Sequence, residues 1–93
     1  MDNTVKMNTM DKMLRELEDI INRQTSLLKK ITQLEAENIN LGNRFLEKRL
    51  PDIHSKADDA LTEAITVKEE FTELRDKFVN DNKLNEASAD AAE

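Results

Sequence analysis

From Met10 to Phe45 the chain carries apolar residues at alternating steps of three and four: Met10, Met13, Leu17, Ile20, Leu27, Ile31, Leu34, Leu41 and Phe45, with Gln24 and Asn38 completing the series. A seven-residue period lays one stripe along an α-helix, and a helix cannot bury its own stripe, so a partner helix is required. We assign Met10, Leu17, Gln24, Ile31, Asn38 and Phe45 to heptad position a, and Met13, Ile20, Leu27, Leu34 and Leu41 to d. Leu14, Ile21 and Leu28 then fall at e, and the stripe is three positions wide. That is more than a two-stranded seam covers and is the width of a bundle helix. From Glu35 onward position e is Glu35 and Gly42, and the face narrows.

A second stripe runs through Leu46, Leu50, Ile53, Ala57, Ala60, Ala64, Val67, Phe71, Leu74 and Phe78, with Leu61, Ile65 and Val79 beside it. Its register is displaced by two positions from the first, so the chain must break or rotate between them. Pro51 has no amide hydrogen and disfavours the α-region for Leu50, while its fixed φ suits the first turn of a new helix. Gly42-Asn43 is the other available stop, and a kinked rod that oligomerises is the third arrangement. The expectation is an all-α chain folded as a two-helix antiparallel hairpin or coiled coil within a larger helical bundle. Its parts are a flexible N-terminus over 1–8, a helix over about 9–49 capped by Asn8 or Thr9, a turn at about 50–51, a helix over about 52–81 and a disordered acidic tail over 82–93.

Composition narrows the function. Of 93 residues, 37% are charged and 38% hydrophobic, which favours extended helices over a large core; one Gly, one Pro and three aromatics offer little for a multi-strand sheet. The chain has no cysteine, which removes disulfides and thiolate chemistry and leans toward a cytoplasmic setting. It has no apolar run of membrane-spanning length, and the start MDNTVKMNTMDK has no apolar leader region, so neither a membrane partner nor a cleaved leader is expected. Residues 1–56 carry ten basic and nine acidic side chains, and residues 57–93 carry four and eleven. Acid concentrated in the second half argues against nucleic acid as a partner, because that affinity draws on clustered Lys and Arg.

Few residues carry chemistry. His54 is the only histidine, and with no second histidine or cysteine a metal centre is not expected; no nucleophile pattern or phosphate-binding loop surrounds the serines or Gly42. Neither an enzyme nor a cofactor is therefore expected. Gln24 and Asn38 are the notable polar residues, since a buried amide at a must find a partner and does so best in one alignment; both are assigned as register-setting. The segment LEAENINL, residues 34–41, resembles a leucine-zipper turn, with Leu34 and Leu41 at d and Asn38 at a. The basic helix of a zipper transcription factor is missing, since residues 1–13 contain only Lys6 and Lys12.

These features point to a non-catalytic helical adaptor, chaperone or assembly factor that binds a protein partner or itself. Leu14, Ile21 and Leu28 are the expected partner-binding row, on the reasoning that a single second helix covers only a and d. The rival is an acidic inhibitor presenting Asp58, Asp59, Glu63, Glu69, Glu70, Glu73 and Asp76 to a basic nucleic-acid-binding channel.

Overall fold

A computed structural model describes residues 2–84. It contains two helices, α1 over Asn3–Leu41 and α2 over Arg44–Asp81, packed against each other as an antiparallel hairpin. The expected tail falls mostly on residues 85–93, which lie outside the described residues.

Helix α1 starts six residues earlier than the capping reading places it. Asp2 is its N-cap: the carboxylate accepts a hydrogen bond from the Val5 amide at 2.8 Å, and the Asp2 carbonyl accepts from Lys6 at 2.9 Å. Nothing in Asn3–Asn8 breaks a helix, and Met7 extends the e row by one more heptad, so the expected flexible segment is helical. Thr9 is an interior residue whose hydroxyl donates to the Val5 carbonyl at 2.9 Å.

The turn lies at Gly42 and Asn43, not at 50–51. Gly42 has φ +69°, a left-handed conformation that costs an L side chain about 1–2 kcal/mol. Its amide donates to the Asn38 carbonyl at 2.6 Å, closing the last turn of α1. Asn43 caps α2 by accepting from the Leu46 amide at 3.0 Å. Asn38, buried at the end of the a row, fastens the two helices: its amide oxygen accepts from the Asn43 amide at 3.1 Å and its amide nitrogen donates to the Asn43 carbonyl at 3.0 Å.

Pro51, by contrast, sits inside α2. It removes one backbone bond, the one that would reach the Glu47 carbonyl, at a cost of about 3 kcal/mol. A turn at 50–51 would forfeit the Gly42 cap, the Asn43 cap and the Asn38 clamp together. It would also expose Leu50, one of the most buried side chains. Several small local terms plus one buried leucine outweigh one proline.

The chain divides into two compact units, residues 19–65 and residues up to 18 with those from 66 onward. In the first, Ile31, Leu50 and Ala57 are buried, with Ile21, Leu28, Leu46, Leu61 and Ala64 half-buried. In the second, Val79 is the most buried side chain, and Met7, Met10, Leu14, Leu17, Phe71 and Phe78 are half-buried. Each unit packs α1 antiparallel to α2.

Candidate interaction surface

On α2 we label Leu50, Ala57, Ala64, Phe71 and Phe78 as a′, Leu46, Ile53, Ala60, Val67 and Leu74 as d′, and His54, Leu61, Lys68 and Arg75 as e′. Burial follows a with e on α1 and a′ with e′ on α2. The d residues Met13, Ile20, Leu27 and Leu34 remain 43–47% exposed, and Leu41 is 72% exposed at the turn. On α2, Ile53, Ala60, Val67 and Leu74 are exposed as well.

This corrects the expected rotation of the helices. Leu14, Ile21 and Leu28 are half-buried on the face that meets α2, so the premise that the second helix would leave them uncovered does not hold. The row left outside is d. A stripe of a and e has the same seven-residue period as one of a and d, so periodicity alone does not choose between them. The choice follows from what each helix offers across the seam.

On the e side the two helices exchange charge. In the 19–65 unit, His54 Nδ1 lies 2.5 Å from Glu35 Oε1. In the other unit, Lys68 pairs with Glu18, and Arg75 grips Asp11 with two hydrogen bonds, Nε to Oδ1 at 2.7 Å and Nη2 to Oδ2 at 3.3 Å. Arg75 Nη1 also donates to Asp76 at 3.2 Å. Hydrogen bonding to the Asp11 carboxylate holds the Arg75 guanidinium above its usual pKa, against the opposing effect of burial. An a/d seam would rotate these partners apart.

The same contacts locate the d rows. At about 100° per residue, e lies about 40° to one side of a, and d about 60° to the other. In the 19–65 unit, a meets a′ where Gln24 Nε2 donates to the Ala57 carbonyl at 3.4 Å, and e meets e′ at Glu35 and His54. The d and d′ rows must therefore share the opposite side. That side carries Ile20, Leu27 and Leu34 from α1 with Ile53 and Ala60 from α2, whereas the other side holds the Glu35–His54 contact among Ile21, Leu28 and Leu61. In the second unit Met13 holds position d, and Val67 and Leu74 hold d′.

Gln24 and Asn38 both have polar partners. Asn38 bonds within the turn to Asn43, whereas Gln24 bonds across the seam at a length near the limit of a hydrogen bond. A groove of about 470 Å³ opens beside the turn among Glu35, Ile39, Gly42, Leu46, Leu50 and Pro51. Among the described residues, no group of three or more metal-ligating side chains is placed to hold an ion, and no helix is long and apolar enough to cross a membrane. The signal that could have revealed the rotation was the matching of Glu35, Glu18 and Asp11 to His54, Lys68 and Arg75. No family model, curated protein or solved structure matches this chain.

Proposed function

We propose that this chain is a non-catalytic helical adaptor, chaperone or assembly factor of the cytoplasm, and that it works through the apolar side of its hairpin. The observation that carries this reading is the d row. A heptad-spaced line of Ile20, Leu27 and Leu34, joined by Ile53, stays about half exposed beside a core that already satisfies α1 and α2. Isolated exposed apolar residues need no explanation, but rows on two helices facing one way form a surface that a further helix would bury.

A photo-cross-linking residue at position 27, on the apolar side, and another at position 73, on the outer face of α2, test the reading in the native host. Adducts from position 27 and none from 73 are expected. The reverse pattern would sink the adaptor reading.

One observation favours a second reading. Asp58, Asp59, Glu63, Glu69, Glu70, Glu73 and Asp76 are all exposed, which is what an acidic inhibitor of a basic channel needs. Salt separates the two: inhibitor binding would fall steeply as ionic strength rises, and apolar docking would not.

A further inference from the structure

Building on the adaptor reading, we propose that the apolar side of residues 19–65 is a dimer face that packs against the same side of a second copy. In this arrangement α1 of each copy lies against α2 of the other, giving an antiparallel four-helix bundle. Three features of this face select a second copy.

The first is continuity with the existing core. Ile20, Leu27, Leu34, Ile53 and Ala60 adjoin the a and a′ residues that already pack, so a matching pair of helices laid on them would extend one core rather than found another. On the opposite side Glu35 is already engaged with His54.

The second is size. Counting outward from the turn at 1.5 Å per residue, Leu34 is level with Ile53, and Leu27 with Ala60, to within about 3 Å. A two-fold axis along the hairpin sets Leu27 of each copy beside the small Ala60 of the other. Laying α1 on α1 would instead crowd large side chains together and leave Ala60 opposite Ala60 with a void between.

The third is charge on the margin of the face. The position next to d outward is Arg23, Lys30 and Glu37 on α1, and Arg49, Lys56 and Glu63 on α2, all exposed. By the same count Arg23 is level with Glu63, and Glu37 with Arg49; Arg23 also pairs with Asp19 at 2.8 Å and Glu37 accepts from Gln33 at 3.1 Å on their own helix, and the two-fold arrangement adds four opposite-charge neighbours to these exposed contacts. Lys30 and Lys56 are the like-charged level, and both are long enough to turn outward. Isologous closure on one sequence satisfies both helices at once.

Light scattering of the purified full chain tests this directly. The expected mass is twice the 10.7 kDa of one chain at high micromolar concentration. A cross-linker at residue 27 is expected to form adducts with α2 of the second copy, near residue 60. Leu27→Asp and Leu34→Asp should each weaken the dimer about 30-fold or more, with circular dichroism still helical. Arg23→Glu should weaken it severalfold, and Arg23→Glu with Glu63→Arg should recover it; these exposed positions give the answer even where an aspartate variant unfolds. A monomer at that concentration, a dimer indifferent to both aspartates, or adducts confined to α1 would each overturn the proposal. The wider reading fails separately, only when position 27 also captures nothing in the host.

Discussion

The two units hold the same pair of helices together by different means. Residues 19–65 rely mainly on buried aliphatic side chains and on amides bonded to backbone, with Ile31, Leu50 and Ala57 buried and Asn38 clamping Asn43, beside the single Glu35–His54 contact. In the unit formed by residues up to 18 with those from 66 onward, Val79 is the one fully buried side chain among the described residues, and long-range polar contacts join the helices: Asp11 with Arg75, Glu18 with Lys68, and Asn3 with Asn82 at 2.9 Å. Partners near the turn are close in sequence and need little beyond packing to find each other. Partners 50 to 64 residues apart gain alignment from charge, and Asn3 with Asn82, 79 residues apart, from an amide hydrogen bond.

Substitutions can break that contrast. Ile31→Ala should have the largest effect, a loss of about 2–5 kcal/mol in chemical denaturation, because it opens a cavity where the packing is tightest. Pro51→Ala should act in the opposite direction. It restores an amide to the Glu47 carbonyl, offset by about 0.4–1 kcal/mol of unfolded-state freedom, so stability should rise by about 2 kcal/mol. A loss of stability would mean that the proline serves α2 in some other way. Gly42→Ala should cost about 1 kcal/mol, from backbone strain alone, since an added Cβ meets nothing within 4 Å. Asn43→Ala should cost about 1 kcal/mol through the lost cap.

The charged seam should give the smallest effects. Lys68→Met or Glu18→Gln should change stability by less than about 1 kcal/mol, because both side chains remain partly in water. Arg75→Met should cost about 1 kcal/mol, being the more covered and bidentate. If either equalled Ile31→Ala, the division into a packed unit and a charge-aligned unit would be wrong.

Sequence alone made the helical class and the two stripes plain, because a seven-residue repeat persists whichever pair of positions faces inward. Rotation about the helix axis is a different quantity. It is set by cross-helix partners such as Glu35 and His54, which cannot be paired until the turn is located. The turn itself is hidden by competition: Pro51 is the stronger single breaker, but Gly42, Asn43 and Asn38 act jointly, and the heptad pattern marks Asn38 only as a seam residue. Once the turn moves by eight residues, the neighbours of every α1 side chain change, and the more exposed row is Met13, Ile20, Leu27 and Leu34 rather than Leu14, Ile21 and Leu28.

The two-residue turn also orders the folding of the chain. Loop-closure entropy grows with the length of chain between partners, so contacts beside Gly42 and Asn43 close first, and each later pair is brought near by the one before it. The hairpin forms as a zipper from the turn toward Asn3 and Asn82, and it opens from that far end. Amide hydrogens near the termini should therefore exchange through low-energy fraying, while those around Ile31 and Leu50 wait for global unfolding.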